Sequence, residues 1–200
     1  AASDVYKRQL ISDERYSPAG VLAPKSKADL AFTMHMLSYL DVDGTAAIVA
    51  FPGVMYRGGT EKKIREYLIK NNFVQAVIQL PAALFFGTTI ATCILVLKKS
   101  KTDSSILFVD ASKHFKRVGK NNKLFPEHQD AILKLYEDRE EVEYETALVF
   151  NENVLDNDSN LSVNSYVARE EVREVIDVKA LNEELCQIVA RQPVSYTHLT

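Results

Sequence analysis

Apolar positions along this chain follow two periods, and the switches between them outline its elements. Residues 74–80 and 89–97 are apolar at nearly every position and read as buried strands. Pro81 halts the first, because it lacks the N–H that a central strand needs. Lys98 and Lys99 halt the second. Residues 45–51 form another apolar strand, 105–110 a short one, and 146–150 a further candidate. A helical period covers 26–40, with Leu30, Met34 and Leu37 on one face and Asp29 placed to cap it. It returns over 61–71, with Thr60 as N-cap and Ile64, Tyr67 and Leu68 toward the sheet. A third helix starts at Pro126, which suits a first turn, and runs to 141 with Ile132 and Leu135 inward. A last one spans 178–191, with Leu181, Leu185, Ile188 and Val189 along it. Residues 10–23 and the Asn- and Asp-rich tract 151–164 read as loops. The stretch 118–123 reads as exposed, and 137–145 as the outer side of a helix.

Alternating helices and apolar strands predict an α/β fold whose sheet is covered on both faces. The link between 74–80 and 89–97 is too short for a crossover, so those strands are expected to be antiparallel neighbours. That link holds Leu84, Phe85, Phe86, Gly87 and Thr88. Two aromatics beside a glycine at a strand end form either a wall for a flat ring or a plug for the sheet.

Composition narrows the classes. The chain is 46% apolar and 26% charged, which suits one domain with a core. Its net charge of −3 gives no bulk attraction to nucleic acid, so any DNA contact has to come from local patches. No apolar run approaches the roughly 18 residues of a membrane span. Cys93 and Cys186 lack CxxC spacing and read as free thiols in a reducing cytoplasm. His35, among Met34, Met36 and Leu37, reads as a core histidine. Arg57-Gly58-Gly59 precedes a helix start and is either an anion site for a phosphate or a tight turn with a solvated arginine. Lys25 and Lys27 are candidates for a DNA backbone contact, against the ordinary role of solvated lysines. Lys113, Lys116, Arg117, Lys120 and Lys123 form a basic run that faces DNA, a subunit or solvent.

Several motifs occur together and in order: Lys25-Ser26-Lys27-Ala28-Asp29, Arg57-Gly58-Gly59 with Ile64-Arg65, Leu80-Pro81, Phe86-Gly87-Thr88 with Thr92-Cys93-Ile94-Leu95, and GKNNKL at 119–124. From about Tyr16 to Val167 the chain resembles the modification subunit of type I restriction-modification systems, an adenine-N6 DNA methyltransferase. The resemblance implies the second half of a class I (Rossmann-like) S-adenosylmethionine-dependent methyltransferase sheet with a reversed final strand, plus a C-terminal helical extension. It implies that Phe85 or Phe86, with Gly87 and Thr88, packs against the extruded adenine. The family's Asn-Pro-Pro-Phe/Tyr motif and its glycine-rich donor turn are absent from this sequence. S-adenosylmethionine is therefore expected to bind an N-terminal half that is not in this chain, which by itself should neither bind it well nor transfer a methyl group. The implied partners are double-stranded DNA, a specificity subunit, a second modification subunit and a restriction subunit. Two other readings stay open: a DNA-binding or assembly module from a non-catalytic relative, and a piece of a single-chain restriction-methylase fusion.

The ends stand apart. AASDVYKRQ at 1–9 resembles a translated transposon-end adapter, and VSYTHLT at 194–200, after Pro193, resembles the same adapter read from the other strand. The expected layout is adapter-like residues at 1–9 and 193–200 around a fragment. Within it, 10–110 is the C-terminal half of a catalytic domain, 111–177 a family-specific extension, and 178–192 a helix leading to a partner-docking tail.

Overall fold

The strands expected at 74–80 and 89–97 do pair antiparallel, and the first of them lies at the centre of the sheet. The computed structural model describes residues 10–168, 182 and 185–188. The chain divides into two units, Ala1–Arg169 and Glu170–Thr200. In the second, residues 182 and 185–188 are helical, and the rest of the helix expected over 178–191 lies outside the described residues, as do the adapter-like ends.

In the first unit the elements run α1 (Asp29–Tyr39), β1 (Thr45–Ala50), α2 (Gly53–Tyr56), α3 (Thr60–Lys70), β2 (Val74–Gln79), β3 (Cys93–Lys98) and β4 (Ser105–Asp110). A small hairpin follows, β5 (Lys116–Val118) and β6 (Asn121–Lys123), then α4 (Pro126–Asp138), β7 (Thr146–Phe150), α5 (Asn151–Asp156) and a 3-10 turn at Val163–Ser165. The main sheet has the order β1-β3-β2-β4-β7. Strand β3 is antiparallel to both neighbours, β4 is parallel to β2, and β7 is antiparallel to β4. Strands β1, β2 and β4 therefore point the same way, with β3 reversed between the first two.

One face carries the larger core. Leu30, Met34 and Leu37 of α1, Ile64, Leu68 and Ile69 of α3, and Val154 and Leu161 beyond β7 pack there against Val77, Leu95, Leu97 and Phe108. A buried arginine ties this layer together. The Arg65 side chain is 1% exposed; its Nε–H donates to the Ser159 carbonyl at 2.8 Å and its Nη1 to the Val54 carbonyl at 3.0 Å. Burial pulls the guanidinium down to about 10, while Glu61 and Glu66 pull the other way, so it stays charged at neutral pH. The other face is thinner. Ile78, Leu80, Val96, Leu107 and Val109 are covered by α4 through Ile132, with Leu84, Leu124 and Leu135 at the margin.

Several expectations need correction. The sheet is not fully covered on both faces, because α4 sits over β2 and β4 and leaves Thr45, Ala47 and Val49 of β1 exposed. An open apolar groove of about 340 Å³ remains between β1, β3 and α4, lined by Ala47, Ile94, Val96, Ile132, Leu133 and Tyr136 among others. The second buried strand begins at Cys93 and not at 89; residues 89–92 belong to the loop. Asp29 is the first residue of α1, behind an Ala28 cap, and its carbonyl accepts from Thr33. Gly59 replaces Thr60 as the N-cap of α3, at φ +70 and ψ −135, a conformation open essentially to glycine alone. The expected loop 151–164 begins with α5; the stretch 118–123 is exposed as expected, apart from half-buried Asn122, and contains β6. Helix α4 ends at Asp138, where Arg139 turns left-handed. Glu140 and Glu141 then brace β7, Glu140 through its carbonyl to the Thr146 hydroxyl and Glu141 through its carboxylate to the Leu148 N–H.

Candidate functional site

Because β1, β2 and β4 are parallel, their C-terminal ends line up. Ala50 is opposite Cys93, Cys93 is opposite Gln79, and Gln79 is beside Asp110, which makes one row across the sheet. Three connections leave from that row: the one after β1 with Arg57-Gly58-Gly59, the one after β2 with the two phenylalanines, and the one after β4 with the basic hairpin. Open sheets of this kind bind ligands outside the C-terminal ends of their parallel strands. Helix α1 ends beside the far end of β3, where Lys99 donates to the Leu40 carbonyl, and Lys25 and Lys27 precede its first turn. Both lysines are exposed.

The connection after β2 is built to expose aromatic surface. Leu80 N–H donates to the Thr92 carbonyl at 2.8 Å and Ala83 N–H to the Thr89 carbonyl at 3.3 Å, which holds the loop at its neck. Leu84 turns inward against the thinner core. Phe86 is 98% exposed and Phe85 41% exposed. These residues do not plug the sheet end. Gly87 turns at φ +80, and the Thr88 hydroxyl accepts the Ile90 N–H at 3.1 Å, so Thr88 shapes the loop tip. A fully exposed ring on a braced loop has gained nothing from folding and is available for stacking.

The connection after β1 is more committed. The Arg57 guanidinium occupies the space above Gly53, where a Cβ would fall 2.4 Å from it, and lies 3.6 Å from Glu61 Oε1. Glu61 is 2% exposed, so much of the arginine's charge is already met from the first turn of α3. Gly58 and Gly59 are open, with nothing near an added Cβ. Cys93, in the row itself, donates its S–H to the Ala50 carbonyl, and burial pushes its thiol up to about 12, which leaves it unreactive. His35 stacks on Tyr16 and meets Tyr39 edge-on, a structural role. Among the described residues no group of His, Cys, Asp and Glu could hold a metal ion, and no helix is long and apolar enough to cross a membrane.

Comparison with known proteins identifies what has this architecture. Residues 2–175 match the family model described as N-6 DNA Methylase. The chain belongs to that family. It is 46% identical over 187 residues to the type I restriction enzyme MpnII methylase subunit of Mycoplasma pneumoniae, covering 93% of this chain and 34% of that protein. It is 34% identical over 179 residues to the MjaVII methylase subunit of Methanocaldococcus jannaschii, covering 86% and 31%. A crystal structure of the type I restriction-modification methyltransferase subunit from Streptococcus thermophilus superposes with a TM-score of 0.78 at 40% identity, over 80% of this chain and 34% of that one. The chain thus spans about a third of the length of the relatives it matches.

In this N-6 DNA methylase chain, two residues that the sequence motifs contain without an assigned role shape the site. Thr92 is buried at the neck of the aromatic loop and its hydroxyl makes no hydrogen bond among the described residues. Asn122, on the hairpin, fastens that hairpin to the aromatic loop: its side-chain N–H donates to the Ala82 carbonyl at 2.8 Å and its backbone N–H to the Ala83 carbonyl at 3.0 Å. An Asn next to another Asn in a basic stretch gives no signal of a partner forty residues earlier.

Proposed function

We propose that this chain is the target-base-holding part of an adenine-N6 DNA methyltransferase that works as the modification subunit of a type I restriction-modification system. Membership of the N-6 DNA Methylase family supports the reaction. The single observation that carries the local role is the braced loop with Phe86 fully exposed and Phe85 half-exposed at the C-terminal row of the sheet. Methylating N6 requires the base to leave the stack, because the target amine cannot be reached and aligned with the donor inside the duplex. Phe86, backed by Phe85, supplies a face for the extruded adenine, and Gly87 and Thr88 shape the turn that presents it. Stacking of this kind is worth about 1–3 kcal/mol per base. Arg57, Gly58, Gly59, Lys25 and Lys27 are the further proposed contacts with DNA phosphates.

The residues present do not fit the methyl donor. No strand in the described chain leads into a glycine-rich turn, and Gly53 is filled by Arg57. S-adenosylmethionine and the Asn-Pro-Pro-Phe/Tyr motif are assigned to polypeptide beyond this chain, and no chemical step is assigned to the residues here. The unpaired outer edge of β1 and its exposed Ala47 and Val49 suit packing against that polypeptide. The specificity subunit, a second modification subunit and the restriction subunit are the proposed partners, in the cytoplasm.

The test is a chimera. Residues 10–168 replace the matching segment of the Mycoplasma pneumoniae methylase subunit, and N6-methyladenine formed in DNA is measured by mass spectrometry. The expected result is methylation within tenfold of the unmodified subunit. A folded chimera that makes none overturns the reading.

A further inference from the structure

The hairpin β5–β6 carries a charge pattern that folding alone disfavours. Its register places Lys116 directly opposite Lys123, and Arg117 opposite Asn122. Like charges facing each other across an antiparallel pair are destabilising. Lys120 sits at the tip beside Gly119, whose φ of +66 makes the tight two-residue turn. All of these cations are exposed, and no Asp or Glu occurs between Lys116 and Lys123. Among the described residues, Lys116, Arg117, Lys120 and Lys123 have no carboxylate at ion-pair distance; Lys116 lies instead 5.9 Å from the Phe125 ring centroid. A two-stranded ribbon of three residues a side would be marginal by itself. This one is held by its attachment to the aromatic loop, through Asn122 to Ala82 and to the strained carbonyl of Ala83, whose φ is +51. A concentrated positive charge is thus fixed to the segment that presents Phe86.

We infer that the β5–β6 hairpin is a phosphate-backbone clamp for DNA, with Lys116, Arg117, Lys120 and Lys123 as its contacts, coupled through Asn122 to the aromatic loop that holds the base. The inference rests on the proposed function for the choice of DNA as the polyanion. The chain as a whole is acidic, with a net charge of −3, so a local cluster is what an electrostatic contact requires. Phosphate contacts fix register on the duplex without reading sequence, which is what a base-holding loop needs from its support. Tying the clamp to the loop by two hydrogen bonds lets backbone engagement set where Phe86 meets the opened base.

The test uses fluorescence anisotropy of the 200-residue chain with a fluorescein-labelled 20-base-pair duplex between 50 and 200 mM salt. The quadruple variant Lys116→Gln, Arg117→Gln, Lys120→Gln, Lys123→Gln is compared with Lys63→Gln, Lys70→Gln on α3, with folding checked by circular dichroism. The hairpin variant is expected to lose at least tenfold in affinity at 100 mM salt. Its salt dependence should also flatten, by about 0.9 in slope for each phosphate that is no longer neutralised. The α3 variant is expected to stay within twofold. Equal losses in the two, no loss in the hairpin variant, or no DNA binding by the parent chain at 50 mM salt would each overturn the clamp. The same substitutions in the chimera separate the two ideas. An active chimera whose KM for DNA ignores the hairpin defeats the clamp alone. An inactive chimera with hairpin-dependent anisotropy defeats the catalytic reading and leaves the clamp standing.

Discussion

The two faces of the sheet teach opposite lessons about what this sequence is built for. On the closed face, α1, α3 and the segments after β7 bury a continuous core, and Arg65 satisfies backbone carbonyls of Val54 and Ser159 that would otherwise be orphaned. On the open face a single helix covers part of the sheet, a groove of about 340 Å³ stays apolar and empty of side chains, and the aromatic loop and basic hairpin lie at its margin. Stability is concentrated on one side and unused binding surface on the other. A protein shaped only by its own folding would not leave Phe86 fully exposed and apolar residues of β1 uncovered.

That contrast can be broken first at Arg65. Arg65→Ala leaves two buried carbonyls without donors, and is expected to cost about 2–5 kcal/mol in urea unfolding. A decrease below about 1 kcal/mol would mean the closed face is not held together this way. A half-buried lysine and a buried cysteine then give opposite pH dependences. Burial lowers Lys101 to about 8, so above that pH the unfolded chain binds the extra proton and stability rises until about 10.5. Burial raises Cys93 from 9.0 to about 12, so from pH 9 the unfolded thiol ionises first and stability falls. The expected parent profile rises from pH 8 to 9 and then flattens. Lys101→Met should fall from pH 9, and Cys93→Ala should keep rising toward 10.5. Identical profiles in both variants would contradict these assignments. The smallest effect belongs to the open face: Leu133→Gln, at the exposed edge of the groove, is expected to change stability by less than about 0.5 kcal/mol in the same urea assay.

What the sequence made legible divides along the same line. Among the described residues, periodicity located each strand of the main sheet and the three longer helices, because Leu30, Met34, Leu37, Ile64 and Leu68 obey the face they bury. The antiparallel β2–β3 pair followed from the brevity of its link. Burial of β1 was misjudged, since an apolar pattern records what a strand is fit to bury and not whether a covering element is at hand. Thr89 to Thr92 are β-branched or small and read as strand, yet the neck hydrogen bonds from Leu80 and Ala83 draw them into the loop. The hairpin was invisible as structure. Three-residue strands rich in Lys and Asn have no periodic signal, and what fixes them is the remote attachment of Asn122. Phe85 and Phe86 were legible as candidates, but only the geometry showed them exposed instead of plugging the sheet.

The central claim is that the exposed aromatic loop works on an adenine, and it is tested most directly in the chimera by comparing Phe86→Ala with Phe150→Ala. Phe150 is likewise exposed but ends β7 opposite Ser105, at the other end of the sheet from the row of strand ends. Removing one stacking face predicts a fall in kcat/KM for DNA methylation of roughly 5- to 150-fold for Phe86→Ala. Phe150→Ala should stay within about twofold. Equal rates in the two variants, with both folded, would contradict the account and make the exposed loop a bystander.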